Sequence, residues 1–261
     1  MRSQQDSTVA GVALVTGAAS GIGRALVEAL SNRGLTVHAA DIDEAGLAEV
    51  ADLPGVTTQR LDVSDGDAVR AWIEGAADQG RVDYVFNNAG MLVGGRFEDT
   101  TEEQWRAIVD VNLWGVVHGT RAAWDVMRRQ GGGGHIVNTS SSAGLMPVLD
   151  SSAYATTKHA VVGLSTSIRA EGKRHGIKVS VVIPGVVATG IWASAQNAGD
   201  YDYVKAMKRV PFKQISPADA ATAVIEGVER NDAHIVFPGY NKVLTRFYRT
   251  FPTVAAKIVV R

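Results

Sequence analysis

The chain contains no cysteine. That excludes a disulfide framework, a thiolate zinc site and a cysteine nucleophile. It fits a reducing compartment, and a cytoplasmic location is expected. Long apolar runs are missing too: none approaches the roughly 18 residues of a membrane-spanning helix. A dominant charge is also absent, since 26 Lys and Arg stand against 27 Asp and Glu. At a formal net charge of −1 no overall field recruits nucleic acid or an anionic membrane. The opening stretch MRSQQDSTVAG is polar and lacks the apolar core of a signal peptide. The histidines, among them His118, His135, His159 and His175, show no metal-ligand spacing, so no metal is expected.

What is present is an ordinary globular balance, 46% apolar and 20% charged over 261 residues. Apolar, β-branched runs alternate with helix-like stretches. Strands are expected at Val12–Val15, Leu35–Ala40, Thr57–Asp62, Tyr84–Asn87, His135–Ser140, Lys178–Ile183 and His234–Phe237. Between them, helices are expected at Ile22–Arg33, Asp65–Ala77, Thr101–Gln130, Ser152–His175 and Pro217–Arg230. Four glycines, 131–134, stop one helix; Gly176 stops another; Pro217 suits a first turn. Continuous rather than alternating apolar strands suit a parallel sheet covered on both faces. The expected fold is therefore one doubly wound α/β domain, a parallel sheet of Rossmann type with helices on both faces. The least regular stretch is Val186–Ile215, and a loop of that length in a compact domain is usually functional or mobile.

The turn Thr16-Gly17-Ala18-Ala19-Ser20-Gly21-Ile22-Gly23 joins the first strand to the first helix. Gly17 allows a tight turn, Gly21 lets backbone approach a pyrophosphate, and Gly23 permits close helix–strand packing. The helix start, at Ser20 to Gly23, offers free N–H groups and a positive dipole end to phosphates. The spacing is GxxxGxG rather than GxGxxG. Asp41 ends the next strand, where a carboxylate accepts bonds from both adenosine ribose hydroxyls. It repels a 2′-phosphate, and no basic residue flanks it, so NAD is expected over NADP.

These elements, with others in order, resemble the short-chain dehydrogenase/reductase family over nearly the whole chain. They are TGAASGIG at 16–23, Asp62, NNAG at 87–90, Asn112, a serine run before YATTK, and PGVVAT at 184–189. The resemblance implies that Asp62 and Val63 contact adenine. It implies that Asn88, Ala89 and Gly90 lie beside the cofactor, and that Val187 and Thr189, after Pro184 and Gly185, fix the nicotinamide carboxamide. It implies a catalytic set of Asn112, Ser141, Tyr154 and Lys158. Ser140, Ser141 and Ser142 all compete for the serine; Ser141 is preferred because it lies at the usual family separation before Tyr154.

The chemistry asks for such residues independently. Oxidising an alcohol with NAD means removing a hydroxyl proton as hydride leaves carbon. A free tyrosine, with a pKa of about 10, is a poor base at neutral pH, and bringing it near 7 takes about 4 kcal/mol. A lysine at i+4 shares the helix face of Tyr154, and its ammonium favours the phenolate. Ser141 is expected to hold the substrate oxygen, Lys158 also the nicotinamide ribose, and Asn112 a water behind the lysine.

By resemblance the substrate pocket involves Leu145–Asp150, the loop Val186–Ile215 and the C-terminal tail. Leu145, Met146, Val148, Leu149, Ile191, Trp192, Met207 and Phe212 would give it an apolar wall, suited to a hydrophobic alcohol or ketone. The tail Tyr240–Arg261 carries Lys242, Arg246, Arg249, Lys257 and Arg261 and no acid, interleaved with apolar residues. Membrane docking, covering the pocket and packing on a neighbouring subunit all suit it; Pro252 interrupts it, and packing is expected. The resemblance also implies a homotetramer or homodimer through the helices near 101–130 and 152–175. The reading is thus an NAD-dependent oxidoreductase for a secondary alcohol. The alternative is an NAD(H)-binding sensor without turnover, for which a tuned phenol has no use.

Overall fold

A computed structural model describes residues 11–208, 210 and 212–254. Seven strands form one sheet: β1 (Val12–Thr16), β2 (Thr36–Asp41), β3 (Val56–Arg60), β4 (Val82–Asn87), β6 (Gly134–Thr139), β7 (Ile177–Pro184) and β9 (His234–Phe237). Two short strands, β5 (Val93–Gly94) and β8 (Gln196–Asn197), pair apart from it. The helices are α1 (Gly21–Asn32), α2 (Glu44–Ala48), α3 (Gly66–Gln79), α4 (Glu102–Val109), α5 (Gly115–Arg129), α6 (Ser152–Gly172), α7 (Tyr203–Met207), α8 (Pro217–Glu229) and α9 (Gly239–Thr250).

The sheet order is β3-β2-β1-β4-β6-β7-β9, every pair parallel. The chain runs outward from β1 to β3, then returns to lay β4 on the other side of β1. That reversal is a switch point, and it opens a crevice at the carboxyl ends of β1 and β4. Parallel strands need crossover helices, and these cover both faces. On one face α1 and α8 bury Leu26, Val27, Leu30, Val224 and Ile225 against Val15 and Val37. On the other, α3 and α5 bury Trp72, Ile73, Val126 and Met127 against Leu14, Val85 and Ile136. Each such side chain contributes roughly 1.5–3 kcal/mol on burial.

Short polar residues cap several of the helices. Asp65 accepts from the N–H groups of Asp67 and Ala68 at α3, and Thr101 and Gln104 form a reciprocal capping box at α4. Ser216 caps α8 with Pro217 in its first turn. Gly176, at φ 68°, takes the left-handed conformation that ends the turn after α6.

Two expectations change. The expected helix 101–130 is two helices, because a π-helical turn, Asp110–Trp114, separates α4 from α5. The wider turn widens the helix where Asn112 leaves its face to bond outside it. The stretch 186–215 is also more ordered than its composition suggested. β8 pairs with β5, Val187 bridges Ile215, and α7 is capped by Asp202. Among the described residues no helix is long and apolar enough to cross a membrane.

Candidate active site

A cavity of about 1290 Å³ opens at the carboxyl ends of the strands. It runs from the β1–α1 turn, past the ends of β2, β4 and β6, to the 186–215 segment and α9. All the residues expected at a cofactor line it except Gly23. Gly23 is packed instead: a methyl group built on it would lie 1.9 Å from the Gly17 carbonyl oxygen.

The turn itself has room only for backbone. Gly17 and Gly21 hold φ of +69° and +53°, and a methyl group would lie 2.8 Å from Ala89 Cα and 2.9 Å from Thr189 Cγ2. Thr16 steadies it: its hydroxyl accepts from the N–H groups of Asn88 and Ala89 at 3.0 and 3.1 Å. Asn88 returns a side-chain bond of 3.1 Å to the Thr16 carbonyl. Asp41 sits at the far end, where its two oxygens accept from Ala19 N at 2.9 Å and Asp43 N at 3.0 Å. The carboxylate is thereby fixed against the glycine turn with lone pairs to spare.

The three serines separate cleanly. Ser140 is buried and donates to the Lys158 carbonyl at 2.8 Å, a structural tie between β6 and α6. Ser141 shares the cavity wall with the Tyr154 phenol, and its hydroxyl favours the phenolate. Ser142 starts a short turn whose N–H group at Ala143 donates to Ser141 at 3.2 Å. Lys158 is buried, donates to the Thr139 carbonyl at 3.1 Å, and places Nζ 5.6 Å from the Tyr154 ring centre.

The electrostatics correct one expectation. The Tyr154 phenol is not lowered in the protein alone; burial pushes it up to about 12, and nearby Tyr203 adds to the rise. The Ser141 hydroxyl acts in the opposite direction and is outweighed. Burial also draws Lys158 down to about 8. Desolvation disfavours the charged form of both groups.

Asn112 does not line the cavity. It is fully buried in the π turn, where its amide accepts from Met91 N at 2.8 Å and donates to Met91 O at 2.9 Å. That two-point clamp fixes the chain just after Gly90, next to Lys158. A methyl group built on Gly90 would lie 3.2 Å from Asn112 Oδ1 and 3.4 Å from Lys158 Nζ.

The apolar wall is largely as expected. Met146, Val148, Leu149, Ile191, Trp192, Met207 and Phe212 line the cavity, but Leu145 packs with Val116 and Val161 instead. Sequence reasoning missed Ile42, Tyr201, Tyr203 and Leu244, which also line it. Ile42 had a signal, an apolar residue directly after the ribose-type acid. Tyr203 had none, since it reaches the cavity only through the β5–β8 pairing. The first half of the tail packs on its own chain. Tyr240 stacks on Phe212 at 4.9 Å, its hydroxyl accepts from Val186 N at 3.3 Å, and Asn241 donates to the Ile183 carbonyl at 3.1 Å. Lys257 and Arg261 lie outside the described residues.

Comparison with known proteins agrees with this geometry. The short chain dehydrogenase family pattern matches residues 11–199, and the chain belongs to that family of oxidoreductases. It is 44% identical over 186 residues to the protein named "Probable oxidoreductase EphD" of Mycobacterium tuberculosis, covering 69% of this chain and 31% of that one. The chain thus spans about a third of that relative's length. It is 34% identical over 237 residues to the mouse (Mus musculus) 15-hydroxyprostaglandin dehydrogenase [NAD(+)], covering 84% of this chain and 85% of that one. A Burkholderia phymatum short chain dehydrogenase/reductase, solved in complex with NAD, superposes with a TM-score of 0.86 at 29% identity, covering 94% and 95% of the two chains.

Proposed function

We propose that this enzyme interconverts a secondary alcohol and a ketone on an apolar substrate, with NAD as its cofactor. The observation that carries the reading is the meeting of Ser141, Tyr154 and Lys158 on the wall of one cavity that continues to the Gly17–Gly21 turn. That turn fits a dinucleotide, because Gly17, Ser20, Gly21 and Ile22 line the cavity at the start of α1, where helix N–H groups and the positive dipole end suit phosphates. Asp41 supports NAD over NADP, in keeping with the NAD named for the mouse relative and the Burkholderia structure.

When bound, NAD supplies the carbon that takes or gives the hydride. The rest falls to side chains. Tyr154 takes the hydroxyl proton in oxidation and returns it in reduction. At about 12 the phenol holds its proton at neutral pH, the form reduction needs. Oxidation needs the phenolate, which positive charge favours; Lys158, at about 8, is still mostly ammonium at pH 7. Ser141 holds the substrate oxygen beside the phenol. Lys158 keeps donors beyond its bond to Thr139, and these hold the nicotinamide ribose. Asp41 takes the adenosine ribose, Asp62 and Val63 the adenine, and Val187 and Thr189 the carboxamide. Asn112 acts through the Met91 clamp, keeping the chain beside Lys158 in place. We also infer self-association as a homotetramer or homodimer, through α5 and α6, in the cytoplasm.

The test is NADH appearance with NAD⁺ and secondary alcohols from polyols to sterols, run beside Tyr154→Phe. Turnover of apolar alcohols is expected in the wild type, with a loss on the order of 10³-fold in the variant and NADH affinity kept. Equal rates would remove Tyr154 from the mechanism. Turnover confined to polyols would remove the apolar substrate.

A further inference from the structure

One face of α9 is accounted for and the other is not. Asn241, Leu244, Thr245 and Tyr248 turn toward the body of the protein, and Asn241 and Thr245 are buried. Outward, Val243, Phe247, Phe251 and Val254 are 69, 40, 53 and 53% exposed. The spacing of four between Val243, Phe247 and Phe251 puts these three in one stripe along the helix to its cap, and Val254 follows just beyond. The rings of Phe247 and Phe251 touch, with centres 5.7 Å apart. Beside this stripe runs a second one, Lys242, Arg246 and Arg249, at spacings of four and three. Among the described residues none of these three sits in an ion pair. No Asp or Glu follows Asp232 in the sequence. The chain as a whole is nearly neutral, so this positive strip is a local feature.

We propose that the outer face of α9 docks on an anionic lipid surface, from which the enzyme takes its apolar alcohol. An interfacial helix buries an apolar stripe at the acyl boundary and sets cations against lipid phosphates, and α9 presents both side by side. A two-fold contact with a second copy would instead bring basic strips together with no acid on the helix to meet them. The helix is also placed for delivery. Tyr240 and Leu244 line the substrate cavity, and Phe212 stacks on Tyr240 at its rim. The delivery step rests on the apolar-alcohol reading above; the docking does not, and its failure leaves that reading standing.

The full chain is to be co-sedimented with vesicles of phosphatidylcholine, alone or mixed with an equal part of phosphatidylglycerol. Binding to the anionic vesicles, weakened by added salt, is expected. Phe247→Ser with Phe251→Ser, and separately Arg246→Gln with Arg249→Gln, are each expected to weaken it about tenfold or more. Circular dichroism melts confirm that both variants fold, and their residues lie outside the cavity. A wild type that stays in the supernatant with both vesicles overturns the proposal. So do variants that bind as well as the wild type. Light scattering closes the other route: dissociation of a wild-type oligomer by these substitutions, without vesicle binding, assigns the stripe to a subunit contact.

Discussion

The two ends of the seven-stranded sheet treat their polar groups in opposite ways. At the amino ends, protein partners take them up. Arg81 pairs with Asp83 at 2.8 Å and donates to the carbonyls of Gly131 and Gly133 at 2.7 and 2.8 Å. Arg169 donates to the Asn231 carbonyl at 2.7 Å. Buried His135 meets the Ser180 hydroxyl at 2.8 Å, and that hydroxyl donates to the Asp232 carbonyl at 2.6 Å. At the carboxyl ends, Asp41, Ser141, Tyr154 and Lys158 face a cavity with bonding capacity unspent. The first arrangement holds the fold together; the second leaves the Lys158 ammonium poorly solvated. Stability and function should therefore separate by end.

The sharpest test is at Lys158. Burial lowers its pKa from 10.5 to about 8, so the folded state carries the charge at a cost. That cost is complete below pH 8 and is relieved as pH rises from about 8 to 10.5. At neutral pH it is about 3 kcal/mol. Lys158→Met removes it and strands the Thr139 carbonyl, a loss of about 1–3 kcal/mol. Turnover is expected to fall on the order of 10³-fold while the melting temperature stays equal or rises. Parallel kinetics and thermal melts check this. A melting point well below wild type would show that the lysine serves the fold, and the contrast between the ends would break.

His135 probes the other end. The Ser180 hydroxyl has one hydrogen, given to Asp232, so the imidazole donates to it from Nε2. Burial, helped by Lys178 and Arg169, draws its pKa down to about 4 from 6.5. Stability from this site is complete above pH 6.5 and is lost as pH falls through that window toward 4. The loss reaches about 3 kcal/mol. Denaturation midpoints taken across the window should fall less steeply in His135→Gln, leaving the shallower slope from His38 and His234, whose pKa values burial also lowers. Unchanged steepness would show that His135 is solvated or already charged. Catalytic constants of the variant should stay near wild type, since the residue is remote from the cavity.

The contrast also explains what was legible in the sequence. Strand and helix alternation was readable because buried parallel strands are continuous apolar runs, as in Val12–Val15 of β1. The glycine turn, Asp41 and the Tyr154–Lys158 pair were readable because their chemistry fixes residue type and spacing. The π turn at Asp110–Trp114 was not, since its apolar period continues that of the flanking helices; it exists because Asn112 bonds Met91, far off in sequence. Tyr203 was not either. Its place depends on Val93–Gly94 pairing with Gln196–Asn197, two-residue strands too short to leave a periodic signal. The height of the Tyr154 pKa depends on burial, which spacing alone does not measure.

The smallest expected effect separates two acids that look alike. Asp41 accepts from Ala19 N and Asp43 N; Asp65 accepts from Asp67 N and Ala68 N at 3.1 and 3.0 Å. Both are carboxylates fixed by two backbone donors. Asp65 spends its bonds starting α3, so Asp65→Ala should cost about 1 kcal/mol of stability and leave coenzyme choice alone. Asp41 lines the cavity beside Ile42, so Asp41→Ala should weaken NAD binding about tenfold, near 1.4 kcal/mol, and narrow the preference over NADP. Titrating both variants with NAD and NADP, beside a melt of each, measures the difference. If Asp41→Ala discriminates as the wild type does, the acid belongs with Asp65 as a turn former. If only Asp41→Ala loses discrimination, the same backbone pattern serves the fold in one place and the ligand in the other, and what decides between them is whether the free lone pairs face the cavity.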